Sequence, residues 1–221
     1  MSTAENNYRE LLEKLDAFIR KYYANQLMRG AIYAFALLLG FYLAVTLLES
    51  FAWFSAGVRS VLFYTYLAAT VFVLWKLVLT PLFKLYKLGK TLSHTEAARI
   101  IGDHFGHIKD KLINTLQLHD QASREQDHLD LIYASINQKS AELRPVPFTS
   151  AIDLRKNRKY LPYAAFPLLA LVVILFAAPS LITDPTKRLL QHGKSFSKPA
   201  PFRFILANKS LQVIQFDDYT L

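Results

Sequence analysis

Apolar positions in this chain fall into three long blocks, separated by stretches whose apolar residues recur at helical spacing. Gly30 to Leu48 (GAIYAFALLLGFYLAVTLL) is 19 residues without a charge, bounded by Arg29 and Glu49. At 1.5 Å per residue it covers roughly 28 Å, about the hydrocarbon thickness of a bilayer. Tyr160 to Thr183 is 24 uncharged residues between Lys159 and Asp184. Its Pro162, Pro167 and Pro179 would be poor in a soluble helix but are tolerated in a membrane one. Ser60 to Trp75 is shorter, 16 uncharged residues, after which Lys76 interrupts and Leu77 to Phe83 resumes the apolar run. A lysine near a helix end can snorkel to the interface, which lets this span run over 58–83; a re-entrant or interfacial segment is the alternative. The pattern predicts a mainly α membrane protein with three transmembrane helices, at 30–48, 58–83 and 160–183, the first two joined by a short turn at 49–57.

The polar stretches add three pieces. In residues 1–29, Tyr8, Leu11, Leu12, Leu15, Phe18, Ile19, Tyr22 and Tyr23 recur every three or four positions, while Glu10, Glu13, Lys14, Arg20 and Lys21 take other faces. This is an amphipathic helix feeding the first span; it can lie on the membrane surface or, the favoured reading, pack on helices of the same chain. Those helices are expected within 84–159. Ser93-His-Thr-Glu96 is a capping box, and Ala97, Ile100, Ile101, Phe105, Ile108, Leu112, Ile113 and Leu116 continue one stripe. After a polar break from His119 to Asp127, a second helix shows Leu129, Ile132, Tyr133 and Ile136, ended by Pro145 and Pro147. The expectation is a helical hairpin. Residues 184–221 change character: Phe202-Arg-Phe-Ile-Leu206 and Leu211-Gln-Val213 flank an Asn-Lys-Ser break and read as two strands. Two strands are marginal in water, so this tail is read as the first strands of a β-sandwich-like domain that continues beyond 221.

Charge placement then suggests orientation. The stretches 1–29 and 84–159 share one side and carry 5 and 13 basic residues. The other side has only Arg59 in the stretch 49–59 and six in the tail. The positive-inside rule places the N-terminus in the cytoplasm and the C-terminus in the periplasm of a bacterial inner membrane. Lys187, Arg188, Lys194 and Lys198 dissent, matched by Arg155, Lys156, Arg158 and Lys159 on the inner flank. Nine charges in the first 29 residues argue against a cleavable signal peptide. The net charge of +9 is thereby explained by flanks of membrane spans that meet anionic lipid head groups, and no basic–aromatic stripe suggests nucleic acid.

Candidate chemistry is sparse. The absence of cysteine excludes disulfides, thiolate nucleophiles and cysteine-held metals. Asp103, His104, His107 and Asp110 crowd one helix, yet zinc needs three or four converging ligands and His-x-x-His is common by chance. His119, Asp120, Asp127, His128 and Asp130 read as a loop. No phosphate-binding glycine loop, nucleophile elbow or His-Glu-x-x-His helix occurs. Besides tyrosines, the ionisable groups within the spans are Lys76 and the boundary residues. No catalytic, cofactor or metal residues are assigned, and no cofactor is expected.

Several segments together resemble a known family. They are Tyr8-Arg-Glu-Leu-Leu-Glu-Lys-Leu-Asp-Ala-Phe18, Ala97-Ala-Arg-Ile-Ile-Gly-Asp-His-Phe105, Asp110-Lys-Leu-Ile-Asn-Thr-Leu-Gln-Leu118 and the closing Phe-x-Phe. In this order, with the three spans, the chain resembles the N-terminal part of a large Bacteroidota-type envelope protein family designated only as a domain of unknown function (four-one-seven-five). The resemblance implies a protein several times longer, with β-rich periplasmic domains, and transfers no functional residues. The expected role is a non-enzymatic inner-membrane anchor and scaffold, linking cytoplasmic helices to periplasmic domains, with the bilayer and envelope proteins as partners. A transporter or channel subunit, or a membrane-bound sensor, are the alternatives.

Overall fold

In the computed structural model, which describes residues 3–122 and 129–197, the amphipathic stretch and the first apolar block form a single helix. This helix, α1 (Thr3–Ala52), has 50 residues and a length of about 75 Å. Helices α4 (His94–His104), α5 (Lys109–Ala122) and α6 (Leu129–Leu143) gather around its N-terminal half. Leu11, Leu15, Phe18 and Ile19 of α1 are buried there against Ala97, Ala98 and Ile101 of α4 and Leu112 and Leu116 of α5. Leu143, Phe148 and Ile152 close the core from below. Burying each large aliphatic or aromatic side chain contributes about 1.5–3 kcal/mol, so this module is held mainly by its apolar stripe.

The stripe expected as one helix from Ala97 to Leu116 is broken. Phe105 leaves helical geometry (φ −115°, ψ 73°) and a 3-10 turn, Gly106–Ile108, separates α4 from α5. The two helices press together at the break: a Cβ on Gly102 would lie 2.5 Å from Lys109 Cγ. The expected hairpin is therefore three helices wrapped on α1. Its start is as the sequence suggests, with Ser93 Oγ accepting from the Glu96 N–H at 3.2 Å and Glu96 accepting from the Ser93 N–H at 2.8 Å.

Only Trp53–Ser55 lies outside a helix between α1 and α2 (Ala56–Leu74), so most of the expected turn at 49–57 is helical. The second apolar helix then runs through Lys76 by a π turn, Trp75–Leu79, into α3 (Thr80–Leu85). Pro81 explains the irregularity. It has no N–H for the carbonyl four residues back, that of Leu77. The Thr80 N–H and hydroxyl both turn to the Trp75 carbonyl, the hydroxyl at 2.9 Å. The Leu77 carbonyl faces Gly30 of α1, where an added Cβ would sit 1.9 Å from its oxygen. Glycine thus permits the close backbone approach that membrane helices use in place of apolar burial.

The third block is also irregular. Helix α7 (Leu161–Ala177) ends at Ala178, which leaves helical geometry (φ −152°, ψ 71°), and Pro179 opens α8 (Ser180–Leu190). A residue before proline is driven out of the helical region, so the span expected over 160–183 divides there. Helix α8 packs on α1, α2 and α7. Among the described residues, three helices are long and apolar enough to cross a membrane. Their outward faces carry bare apolar side chains, among them Phe72, Val173 and Phe176, the last 87% exposed; faces of this kind suit a lipid surround. Among the described residues there is no strand; the strands expected at 202–206 and 211–213 lie outside them.

Packing sets a common level for the helices. Gly30 meets Leu77, and the rings of Tyr33 and Tyr160 lie 5.2 Å apart. The start of the charge-free stretch of α7 thus lies within one turn of the start of that of α1, and Lys76 adjoins the contact at Gly30. Beyond Lys76, Leu85 joins the module core and Lys84 Nζ sits 5.9 Å over the Tyr23 ring.

Candidate functional site

Among the described residues, a buried cluster of charge lies at the end of the apolar helices remote from the module. Glu49 on the last turn of α1 is fully buried, Arg59 on the first turn of α2 is 2% exposed and Arg188 on α8 is 6% exposed. Arg188 Nε donates to Glu49 Oε1 at 2.9 Å, and Arg59 Nε is 3.6 Å from the same oxygen. The other carboxylate oxygen accepts from the Phe54 N–H at 3.2 Å. Both guanidinium groups also reach carbonyls: Arg59 donates to Phe54 O at 3.0 Å, and Arg188 to Glu49 O at 3.2 Å. Aromatic faces cover the cations, with Trp53 4.0 Å from the Arg188 guanidinium and Phe196 4.8 Å from that of Arg59.

Two cations on one carboxylate leave a net positive charge of one, spread over carbonyls and ring faces. Trp53 adopts φ 48°, uncommon for a bulky residue, and its N–H bonds Glu49 O at 3.2 Å. The strained joint is what aims the indole at Arg188. Around the cluster, Tyr42 and Thr186 hydroxyls pair at 2.7 Å, Ser60 Oγ lies 2.9 Å from His192 Nδ1, and His192 stacks on Phe63 at 4.7 Å. These contacts tie α8 to α1 and α2. Chemically the site is a structural clasp: the Glu49 carboxylate and both guanidinium groups are engaged within the protein.

Sequence reasoning misses this clasp, because it takes Glu49 only as the boundary of an apolar block, Arg59 only as the charge of the short link and Arg188 only as a dissenting charge. The signal was the presence of opposite charges at both ends of a ten-residue link. Arg59 and Arg188 are two of the seven basic residues counted on that side, and both are occupied by Glu49.

The residues singled out from sequence behave differently. Lys76 is exposed, its Nζ 5.7 Å from the Phe72 ring. It does not line the groove between α1 and α2, a hollow of about 490 Å³ bordered by Ala34, Phe35, Leu38, Tyr42, Tyr66 and Leu74. That groove is apolar apart from two phenols. His104 and His107 fall on either side of the helix break, both against the edge of the Phe105 ring, and Lys109 holds Asp103 at 2.7 Å. Among the described residues no three His, Asp or Glu side chains converge as metal ligands. His119 stacks on Tyr8 at 4.0 Å between ring centres. Burial, with the Asp120 charge adding, pushes the Tyr8 phenol up to about 12. Asp127 and His128 lie outside the described residues.

Polar pairs also fasten the module. Asp16 bonds Lys87 at 2.8 Å and His94 at 3.0 Å. The Lys87 ammonium, with His94 assisting, holds the Asp16 carboxyl below its ordinary range although partial burial opposes this. Lys111 holds Glu142 at 2.6 Å, Arg144 meets Glu10 at 3.1 Å, and Lys21 donates to Thr149 O at 2.8 Å.

No family model matches the chain, and neither a curated protein nor a solved structure matches it.

Proposed function

We propose that the chain is a non-enzymatic anchor and scaffold in a bacterial inner membrane, the N-terminal part of a larger envelope protein. It holds a cytoplasmic helical module on one side and leads to a periplasmic domain on the other. The single observation behind this reading is α1: one helix is the spine of the module through Leu11–Tyr23 and an apolar span through Gly30–Leu48. A displacement of either end is transmitted with little bending, since a continuous helix lacks a hinge at the membrane surface. The clasp of Glu49, Arg59 and Arg188 supports it further, because it fixes the last described helix to the end of that spine. Membership of the envelope family rests on the segments quoted above alone. The exposed position of Lys76 and the apolar lining of the groove lend no support to a transport path.

The lack of native cysteine allows a direct test by single-cysteine labelling. Gln117→Cys on the module and Lys194→Cys beyond α8 are both at exposed positions. A membrane-impermeant maleimide admitted to the periplasm of intact cells is expected to label position 194 and to reach 117 only after lysis. Labelling of both from one side would eliminate the three-span anchor. Purification with neither a cytoplasmic nor an envelope partner would count against the scaffold role.

A further inference from the structure

We propose that Arg29, Lys159 and Tyr160 hold the phosphate of an anionic phospholipid on the module side of the bilayer. The proposal rests on the reading that the three apolar helices span a membrane. Depth is the first argument. Arg29 and Lys159 are each the last charge before an uncharged block, and the Tyr33–Tyr160 contact at 5.2 Å makes the two blocks level. Lipid phosphates lie just outside the hydrocarbon, within the few ångströms that long basic side chains reach.

Charge is the second argument. Lys159 Nζ sits 5.0 Å over the Tyr160 ring, and Arg29 lies one helical turn before Tyr33, whose ring is 5.2 Å from that of Tyr160. Among the described residues no carboxylate pairs with either cation. Guanidinium, ammonium and phenol are all donors, so the trio offers an anion three sets of donors and no negative charge. The 3-10 turn Leu154–Tyr160 adds exposed Arg155, Lys156 and Arg158. Its nearest acid, Asp153, accepts from the Arg155 N–H at 2.9 Å. The arginine fork suits phosphate oxygens, and the lysine supplies a compact second charge.

Shape is the third. Directly along α7 from the cations, Tyr163 is 60% and Phe166 79% exposed, a surface for the acyl chains of the lipid whose head is held above.

The test is native mass spectrometry of the full chain in detergent, titrated with phosphatidylglycerol or phosphatidylcholine. The wild type is expected to prefer phosphatidylglycerol, and the preference should fall roughly fivefold for each cation removed, thus about 25-fold in Arg29→Gln/Lys159→Gln. A control carrying Arg99→Gln and Lys139→Gln on the module should keep it. Absence of a preference, or one equally lost in the control, overturns the proposal. Loss of phosphatidylglycerol on adding millimolar inorganic phosphate assigns the site to free phosphate and also overturns it. If the double variant does not fold, Lys159→Gln alone, at an exposed side chain, should show the single fivefold loss, and no loss there is decisive against it. Carbonate washing of wild-type membranes separates the two readings: extraction of the protein would sink the spanning interpretation, whatever the lipid preference.

Discussion

The module and the three apolar helices share one helix, α1, yet they are held together by opposite means. In the module, Leu11, Leu15, Phe18, Ile101 and Leu112 disappear inside, and charged pairs such as Lys111–Glu142 remain on the rim. Among the apolar helices, Leu67, Phe72, Val173 and Phe176 face outward, and the buried groups include Glu49, Thr46, Arg59 and Arg188. The inversion matches what a lipid surround favours. Water drives apolar side chains together, whereas lipid tails are as apolar as leucine and leave association to close backbone contact and polar pairing. One sequence grammar does not serve both halves.

Two substitutions of similar cost separate the mechanisms most sharply. Phe18→Ala, in the module, should cost about 3–5 kcal/mol through lost transfer energy and a cavity. Glu49→Ala should cost a similar 3–5 kcal/mol for a different reason, the stranding of two buried guanidinium groups. Apolar replacement of all three partners, Glu49→Leu with Arg59→Met and Arg188→Met, should recover most of that loss, since a buried ion cluster can be exchanged for packed apolar groups. Thermal unfolding in detergent, with amide hydrogen exchange to localise each effect, reads both. A triple variant no better than Glu49→Ala would mean that the clasp acts through geometry rather than charge.

Gly30→Ala comes next. The new Cβ would meet a backbone carbonyl at 1.9 Å, which cannot rotate away as a side chain does. The helices must separate, and overpacking of this sort costs roughly 1–3 kcal/mol. Gly40→Ala, with nothing within 4 Å, is the matched control and should be neutral or slightly stabilising. Equal effects at the two glycines would remove the close contact from the account.

These cases also show what was legible beforehand. The three apolar blocks, the capping box at Ser93 and the stripe along Tyr8–Tyr23 are local signals, and each has a counterpart in the helices described. The break at Phe105 was invisible because an apolar stripe continues in phase across a chain that folds back on itself. The π turn at Trp75 needed two facts from different helices, the missing N–H of Pro81 and the bare Cα of Gly30. The clasp needed three, from positions 49, 59 and 188. Long-range polar contacts leave no period in the sequence, so hydrophobic patterning finds helices and overlooks what locks them.

Alkaline pH probes the module alone. The Tyr8 phenol, pushed up to about 12 by burial and the Asp120 charge, ionises in the unfolded chain near its ordinary value of 10.0. Its contribution is therefore complete below pH 10 and is lost as pH rises through the folded value. By pH 12 the difference approaches about 2–3 kcal/mol. Tyr8→Phe should flatten the pH dependence of module unfolding across that window. An unchanged slope would show that other phenols and lysines account for it.

The smallest effect is at acid pH, and it concerns the strap between the two regions. Asp16 on the module part of α1 bonds Lys87, just past the end of α3, so this pair joins the spine to the end of the second apolar helix. Its carboxyl is held below the ordinary range chiefly by Lys87, so the folded state binds that proton less readily than the unfolded one. The stabilisation is present above the ordinary carboxylate value and disappears as pH falls through the folded one. The side chains are 39% and 61% exposed, so solvent screening keeps the effect below about 1 kcal/mol. Asp16→Asn should abolish this acid-side slope while leaving the unfolding of the Glu49 clasp unaltered. Hydrogen exchange at Lys84–Leu88, followed from pH 6 to pH 3, is the readout. Faster exchange at both ends of the second apolar helix would show that strap and clasp form one cooperative unit, and that the contrast between the regions stops at chemistry.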